Sequence, residues 1–269
     1  MCLKIIFKVK NFILPCLDLY LPGILKREYV VKMRSGLKLK IRPKRKNIVS
    51  DIDIFKEIII EDEYDFKKII FSEDIIIDIG ANVGFFSMQA NKTKKGVKVY
   101  SYEPYIKNYQ NLQSNILINN VKNIHSYKKA VVGQNRRVPI FISDENTGGH
   151  SIFDNGTSRK IDVEGVSLSE IIKNRKPTLL KIDCEGAEYE ILLNTSKEIL
   201  KKVDRIILEQ HITPETLKKY KKDSLINYLE KCGFKTKIIK KISYPKEGEF
   251  WIIESKNGKL NQVTNDKKF

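Results

Sequence analysis

The chain has 269 residues, of which 41% are hydrophobic and 31% are charged. This composition supports a folded protein with a sizeable core and excludes a wholly disordered chain. No run of about 20 apolar residues occurs, so no membrane-spanning helix is expected. The formal net charge of +17 favours contact with polyanions, and solvated lysine-rich faces are the alternative explanation for it.

The basic residues are concentrated near the N-terminus. Residues 1–50 carry thirteen Lys and Arg against two acids, whereas residues 51–65 carry seven acids against one lysine. Residues 1–28 form a basic segment whose apolar part, Phe12–Leu25, is interrupted by Pro15, Asp18 and Pro22. These interruptions argue against a cleaved signal peptide. An amphipathic contact of residues 1–28 with a membrane surface stays open as an alternative.

Four cysteines lie far apart, with no CxxC pair: Cys2, Cys16, Cys184 and Cys232. Their spacing excludes a zinc ribbon and argues against a disulfide scaffold. A reducing, cytoplasmic location is therefore expected.

The first regular elements precede residue 66. Alternating apolar residues predict a hairpin of Glu28–Met33 and Leu37–Arg42. A helix is predicted over Asp51–Ile60, with Ser50 or Asp51 as its N-cap. We expect residues 1–65 to be a basic extension with a hairpin and a helix, 66–256 an α/β domain and 257–269 a polar tail.

From residue 75, apolar runs alternate with helical patterns. The predicted strands are Ile75–Ile79, Val97–Tyr102, His125–Val132, Arg137–Ile142, Lys160–Val163, Leu179–Asp183, Val203–Glu209, Phe234–Lys240 and Glu249–Glu254. The predicted helices run to Thr93 from the turn after Ile79, over Tyr105–Asn119, from a Ser167 cap to Asn174, over Ala187–Leu200 and over Pro214–Lys231. This alternation predicts an α/β fold with a mostly parallel sheet, and the two final strands predict one antiparallel strand in it.

The turn after the first of these strands reads Asp78-Ile-Gly80-Ala-Asn82-Val-Gly84. Glycines there permit a tight turn and a close ligand. Asp78 stands where a dinucleotide-binding turn has its first glycine, which argues against a dehydrogenase. A carboxylate suits an ammonium or a sulfonium group. A helix cap is the structural alternative.

Glu103 follows the next strand, 19 residues after Gly84. An acid at that point can accept hydrogen bonds from two ribose hydroxyls. Together, Asp78 and Glu103 indicate a nucleoside ligand with a cationic tail, which S-adenosyl-L-methionine fits better than NAD.

Three segments carry a family resemblance: residues 77–87, Tyr102-Glu-Pro104 and Leu180-Lys-Ile-Asp-Cys-Glu-Gly-Ala-Glu188. Over about residues 50–235 the chain resembles the FkbM family of S-adenosylmethionine-dependent methyltransferases. The resemblance implies a Rossmann-like class I fold, with a seven-stranded sheet and helices on both faces. It also implies O-methylation, often of a sugar or natural-product hydroxyl. Asp78, Gly80, Asn82 and Gly84 would hold the methionine part, Glu103 the ribose, and Ala130 would lie near adenine.

The candidate catalytic residues follow the fourth and fifth strands of that sheet: Asp183, Glu209 and His211. Glu209 and His211 alternate along a strand and should point to the same side. An alcohol acceptor needs a base, for which His211 and Asp183 compete. The three residues could also bind a divalent cation. Their spacing does not demand one, so no metal is assigned.

Neighbouring polar residues have structural alternatives. Glu185 and Glu188 could cap the following helix. Cys184 is expected to pack as a small apolar residue. His150, in a Gly-rich loop, is expected to be an exposed loop residue rather than a substrate contact.

The sequence thus predicts an O-methyltransferase that acts on a hydroxyl of a saccharide, a glycolipid or a related metabolite. An RNA methyltransferase and a non-catalytic membrane-surface module are the alternatives. An Asn/Asp-Pro-Pro-Tyr/Phe motif is missing at Asp183-Cys-Glu-Gly186, and acids there would repel phosphate, which disfavours RNA. The oligomeric state is not predicted.

Overall fold

The computed structural model of the chain describes residues 2–154, 159–244 and 248–258. The helices are α1 (Cys2–Lys8), α2 (Ile13–Tyr20), α3 (Asp51–Phe55), α4 (Phe66–Ile69), α5 (Phe85–Thr93), α6 (Ile106–Ile118), α7 (Leu168–Ile172), α8 (Glu188–Leu193), α9 (Lys197–Leu200), α10 (Pro214–Lys219) and α11 (Ser224–Lys231). The strands are β1 (Tyr29–Lys32), β2 (Lys38–Ile41), β3 (Ile75–Ile79), β4 (Lys98–Tyr102), β5 (Ile124–Tyr127), β6 (Ala130–Val132), β7 (Arg136–Phe141), β8 (Lys160–Ser167), β9 (Leu179–Ile182), β10 (Arg205–Ile212), β11 (Phe234–Tyr244) and β12 (Gly248–Asn257). None of the described helices has the length and apolarity of a membrane span.

Seven strands share one sheet, in the order β11-β12-β10-β9-β3-β4-β5. β12 pairs antiparallel with β10 and β11, whereas β9 pairs parallel with both β3 and β10. The predicted α/β fold, with a mostly parallel sheet and one antiparallel strand, is confirmed. β6, β8 and β7 form a second, three-stranded sheet, and β1 and β2 form the predicted hairpin.

The chain forms two compact units. Unit 1 comprises Met1–Asp74, Ala81–Lys128 and Ser143–His150, and unit 2 comprises Ile75–Gly80, Lys129–Ile142 and Ser151–Phe269. The predicted boundaries at residues 65/66 and 256/257 stay predictions. The predicted tail lies outside the described residues from 259 onward.

Unit 1 is organised around α3 and α5. Ser50 caps α3 in a capping box with Asp53, as the predicted N-cap requires. The helix then widens into a π-helical turn over Lys56–Ile60. Phe55 packs edge-on against Phe85 of α5, with ring centroids 6.1 Å apart. Burial of such aromatic side chains supplies much of the stability of a core.

Unit 2 is organised around β9, whose four residues are all buried. β9 is Leu-Leu-Lys-Ile, so a strand that is covered on both faces includes one lysine. Ser167 caps α7 by accepting a hydrogen bond from Glu170 N, as predicted. Burial on both faces is typical of a central parallel strand and explains the apolar run in the sequence.

Several predicted elements are divided in the structure. His125–Val132 is two strands, β5 and β6, and they belong to different sheets. Ala187–Leu200 is α8 and α9, because Ser196 begins a new helix by accepting a hydrogen bond from Ile199 N. Pro214–Lys231 is likewise divided into α10 and α11. The basic segment without a predicted fold contains α1 and α2.

Candidate active site

Asp78 is the fourth residue of β3, and Gly80 begins the turn that follows; both lie in unit 2. Asp78 is fully buried. Gly80 has φ of +72°, and a Cβ there would overlap the backbone carbonyl oxygen of Asp183. Asp183 N donates to Ile79 O at 3.1 Å. The glycine is therefore required both by its backbone conformation and by the close passage of the chain after β9.

Lys181 of β9 lies beside this turn and is 2% exposed. Its Nζ is 3.3 Å from Asp78 Oδ1 and 3.4 Å from Asp183 Oδ2, and it donates to Gly80 O at 3.0 Å. Burial lowers the pKa of Lys181, but the carboxylates of Asp78 and Asp183 outweigh burial and raise it. The ammonium is therefore charged, and Asp78 has a cation of this chain next to it.

The turn continues in unit 1 with Asn82 and Gly84, both at positive φ. Gly84 is the N-cap of α5, and a Cβ there would overlap Leu112 Cδ1. Asn82 Oδ1 accepts a hydrogen bond from Val83 N at 2.7 Å. Asn is one of the few residues with a side chain that tolerates the left-handed region.

Glu103 follows β4 and is 5% exposed. Its Oε2 accepts from Asn82 N at 2.9 Å, and its Oε1 accepts from Tyr105 N at 2.9 Å. Each carboxylate oxygen can accept two hydrogen bonds. The carboxylate is held by two backbone N–H donors, and a carboxylate has the acceptor chemistry that a pair of ribose hydroxyls needs.

His150 packs inside unit 1, which differs from the expected exposed loop residue. Its ring lies edge-on to Tyr105, with centroids 4.3 Å apart, and its Nδ1 accepts from Ser143 N at 3.2 Å. The loop is held by Asn108, whose Nδ2 donates to Thr147 O. His150 therefore contacts Tyr105, whose backbone N–H donates to Glu103.

Ala130 begins β6 and is 5% exposed. β6 pairs with β8 in the three-stranded sheet, in register Ala130 with Gly165. The prediction placed Ala130 at the end of a third strand of the main sheet, and the structure instead ends that strand at Tyr127. Its role near adenine stays a prediction.

The acceptor cluster is defined here as Lys181, Asp183, Glu185, Glu188, Glu209 and His211, all in unit 2. His211 is its centre: Nε2 lies 3.4 Å from Glu185 Oε2 and 3.5 Å from Glu209 Oε1, and Nδ1 lies 3.2 Å from Glu188 Oε1. Glu209 and His211 therefore point to the same side of β10, as predicted. Their role in catalysis stays a prediction.

Glu188 holds His211 in place from the first residue of α8. It is fully buried; its Oε1 accepts from His211 N at 2.6 Å and its Oε2 from Gly186 N at 2.8 Å. Capping of α8, the structural alternative for Glu188, explains only the bond from Gly186 N and not the bond from His211 N. Because the buried carboxylate takes a backbone bond at each oxygen, it is a fixed support for the imidazole.

The charge state of His211 follows from its neighbours. Burial lowers the pKa of the imidazole, but the carboxylates of Glu185 and Glu188 outweigh burial and raise it well above the usual value of 6.5. The raised pKa favours the protonated imidazolium form of His211. Burial, followed by the charge of Glu188, also raises the pKa of the Cys184 thiol, which disfavours the thiolate.

Asp183, Glu209 and His211 also have donor atoms of the types that bind a divalent cation. Within the described residues, one such atom from each lies within 4.8 Å of the others. Carboxylate oxygens and an imidazole nitrogen suit Mg²⁺, Mn²⁺ or Zn²⁺. The ammonium of Lys181 stands beside the same Asp183 carboxylate, and no metal is assigned.

Lys181 is the central residue that the sequence analysis missed. The signal was available, because one lysine interrupts the apolar run Leu179-Leu180-Lys181-Ile182. A charged residue inside a buried strand needs a partner. Asp78, in register with Lys181 on β3, was the partner to look for.

The family model of the methyltransferase FkbM domain matches residues 78–236. A search of curated proteins gave no match. Among solved structures, the chain is similar to precorrin-6y C5,15-methyltransferase from Geobacter metallireducens GS-15, at 14% identity and a TM-score of 0.46, over 80% of this chain and 92% of that chain.

Two further similar structures are a TYW2 protein bound to AdoMet and an rRNA methylase. TYW2 of M. jannaschii, in complex with AdoMet, has 15% identity and a TM-score of 0.41, over 86% of each chain. An rRNA methylase from Streptococcus thermophilus has 11% identity and a TM-score of 0.46, over 74% of this chain and 95% of that chain.

The family match runs from Asp78 through the turn, Glu103 and the whole acceptor cluster to residue 236. It covers more than half of the chain, and the carboxylate of Glu103 has the hydrogen-bonding chemistry that a nucleoside ligand needs. The chain belongs to the FkbM methyltransferase family and is an enzyme that uses S-adenosyl-L-methionine as its methyl donor.

Proposed function

We propose that this enzyme methylates a hydroxyl oxygen of a saccharide, a glycolipid or a related metabolite. The acceptor cluster carries the proposal, because carboxylates accept hydrogen bonds from hydroxyl groups and repel phosphates. Asp183, Glu185 and Glu209 have side chains that are 27%, 31% and 15% exposed. They are therefore accessible to a polar acceptor, whereas Glu188 behind them is not.

The cofactor is assigned to the turn and to Glu103. When bound, S-adenosyl-L-methionine supplies an electrophilic methyl group. Gly80, Asn82 and Gly84 give the turn the backbone shape that a close ligand requires, and Glu103 accepts the ribose hydroxyls. Asp78 acts through Lys181 rather than as the direct partner of the cofactor cation, since the ammonium already lies beside it. Ala130 is retained as the residue near adenine.

The acceptor is positioned and deprotonated by the cluster. Asp183 accepts the hydrogen bond of the reacting hydroxyl and takes its proton as the oxygen gains the methyl group. Lys181, 3.4 Å from Asp183 Oδ2, restricts the orientation of that carboxylate. Alignment of the acceptor oxygen is the main requirement of such a displacement, and a fixed carboxylate serves both alignment and proton removal.

The sequence predicts His211 as one of two candidates for the general base, and we assign it a positioning role instead. An imidazolium cannot accept a proton, and the carboxylates around His211 keep it in that form. It holds Glu185 and Glu209 on one side and is held by Glu188 on the other. His211 is therefore a positioning residue, and Glu209 is the second carboxylate that can accept a hydroxyl hydrogen bond.

RNA is the second candidate acceptor, and one observation favours it. Within the described residues, β11 is at the end of the sheet order and carries exposed lysines at positions 235, 237, 240 and 241. A row of lysines also protects an edge strand from pairing with another chain. RNA binding that weakens steeply with salt would favour the nucleic-acid acceptor.

Direct assay of methyl transfer tests the proposal. Purified enzyme would be incubated with S-adenosyl-L-methionine and, in parallel, with saccharides, glycolipids and total RNA, and the products would be analysed by mass spectrometry. We expect an added methyl group on a carbohydrate hydroxyl, formed about 100-fold more slowly by Asp183→Asn and at the wild-type rate by the exposed control Glu198→Gln. Methylated RNA and unmodified carbohydrate would contradict the proposal.

Cofactor binding is tested separately. Calorimetric titration with S-adenosylhomocysteine should show micromolar-range affinity, and NAD should not bind. Glu103→Gln should weaken the affinity about tenfold, because a hydrogen bond to a charged acceptor contributes about 1.5 kcal/mol. Unchanged affinity would mean that Glu103 does not bind the cofactor.

A cytoplasmic location is part of the same proposal. The membership in a methyltransferase family argues against the non-catalytic alternative.

A further inference from the structure

Exposed apolar side chains are concentrated at the N-terminus. Among the described residues, twelve large apolar side chains are exposed, and six of them lie between positions 3 and 24: Leu3, Phe7, Ile13, Tyr20, Leu21 and Ile24. Phe7 is 74% exposed and Leu3 is 69% exposed. Single exposed apolar residues need no explanation, but such a concentration marks a contact surface.

The two N-terminal helices each have a buried and an exposed apolar side. In α1, Leu3 and Phe7 are one turn apart and exposed, whereas Ile5 is fully buried. In α2, Ile13 and Tyr20 are two turns apart and exposed, whereas Pro15 and Asp18 are buried. Residues at this spacing share a helix face. The exposed apolar sides therefore remain after the helices have packed on unit 1.

The helices are fixed to unit 1 by polar contacts. Lys8 Nζ donates to Ile59 O and Ile60 O, both at 2.9 Å. Asp18 accepts from Tyr29 OH at 2.9 Å and from Lys44 N at 2.8 Å. The apolar side chains are thus presented in a defined orientation, which lowers the entropic cost of binding through them.

Exposed cations lie among these apolar side chains: Lys4, Lys10, Lys26 and Arg27. Residues 1–50 as a whole carry thirteen basic residues against two acids. A second copy of the chain would bring the same positive charge, so self-association through this surface is disfavoured. Apolar side chains among lysines match an anionic bilayer surface, because the cations meet lipid headgroups while the apolar groups enter the interface.

We propose that residues 3–27, here named the docking segment, bind the surface of a bilayer that contains anionic lipids. The segment rests on the interface without crossing it. Phe7, Leu3 and Ile13 insert at the level of the headgroups, and the four cations stay in the headgroup layer. The proposal goes beyond methyl transfer, and a binding assay tests it independently of any acceptor.

Vesicle co-sedimentation of the full chain tests this inference. Vesicles of phosphatidylcholine alone would be compared with vesicles that also contain phosphatidylglycerol, at low and high salt. We expect binding to the anionic vesicles and weaker binding at high salt. Phe7→Ser should lower the partition coefficient about tenfold, since burial of one large apolar side chain contributes at least about 1.5 kcal/mol.

Matched control variants distinguish vesicle binding through the docking segment from nonspecific binding through other exposed apolar or basic side chains. Leu117→Ser changes a side chain that is 79% exposed, also in unit 1, and should bind as the wild type does. The pair Lys4→Gln and Lys10→Gln should weaken binding, whereas the pair Lys107→Gln and Lys122→Gln should not. Equal losses in test and control variants, or no binding to anionic vesicles, would overturn the proposal. So would self-association that Phe7→Ser abolishes without any vesicle binding.

Discussion

Two buried ion clusters, one in each unit, differ in how completely their charges are matched. In unit 1, Arg42 and Asp51 form a bidentate pair, with Nη2 to Oδ1 at 2.6 Å and Nε to Oδ2 at 2.9 Å. Asn108 and Asn111 complete the remaining bonds at 2.9 and 3.2 Å. In the acceptor cluster of unit 2, the charged atoms lie 3.2 to 3.5 Å apart.

This difference distinguishes a structural ion pair from a candidate active site. One guanidinium matches one carboxylate in unit 1, and short, directed bonds use its donors. In unit 2, Lys181 and His211 face the four carboxylates of the acceptor cluster and Asp78 as well. Three of these carboxylates are partly exposed. The longer contacts and the excess of carboxylates agree with the proposal that the acceptor cluster binds a hydroxyl and accepts its proton.

Asp51→Ala should have the largest effect, on stability. The change leaves the guanidinium of Arg42 half-buried without its carboxylate, and breaking such a pair costs about 3–5 kcal/mol. Urea unfolding would measure it. The double variant Arg42→Met with Asp51→Leu should recover much of the loss, because no charge is then left unmatched. A loss under about 1 kcal/mol for Asp51→Ala would contradict the structural assignment.

Asp183→Asn should act on turnover instead. Removal of a general base typically lowers the rate about 10²–10⁴-fold, and we expect a loss near the lower end because Glu209 remains. The free energy of unfolding and the affinity for S-adenosylhomocysteine should change little. Equal loss of turnover and of cofactor affinity would mean that Asp183 belongs to the cofactor site.

His211 should make stability depend on pH in unit 2. Its pKa is raised in the folded chain, so its contribution is complete below pH 6.5 and is lost as pH rises through the raised pKa. The difference in Tm between the wild type and His211→Gln should therefore be larger at pH 6 than at pH 9. Turnover should not rise through the raised pKa, as it would if His211 were the base. A constant difference in Tm would contradict the buried imidazolium.

Chelation should have the smallest effect. Dialysis against EDTA should leave turnover unchanged, because the proposed mechanism uses no metal. Loss of activity that Mg²⁺ or Mn²⁺ restores would contradict the metal-free mechanism. The loose spacing of Asp183, Glu209 and His211 would then belong to a metal centre rather than to proton transfer.

The sequence predicted the parts of the fold that local patterns determine. The strands β3 and β9 read as largely apolar runs, and the Ser167 cap reads as a helix start. Predictions were wrong where neighbouring elements decide. No local pattern shows that β5 ends at Tyr127 or that Ala130 belongs to another sheet. The helix α2 was not predicted because it contains Pro15, although a proline is tolerated in the first turn of a helix.

The site was predictable in its residue types but less so in its pairing. Glu209 and His211 share a side because alternation along a strand is a geometric rule. The contact of Lys181 with Asp78 depends on which strands are neighbours and in which register, and one sequence does not reveal either. The raised pKa of His211 depends on Glu185 and Glu188, which come from a different element.

Gly80 sets a limit on how this enzyme can vary. The backbone after β9 passes so close to Gly80 that no side chain fits there, and Asp183 N is bonded to the residue before it. The backbone at Gly80 and the backbone of Asp183, the proposed base, are therefore held together by close packing and a hydrogen bond. Under the proposed mechanism, changes at Glu185 and Glu209 can alter the acceptor while the contact between Gly80 and Asp183 is kept.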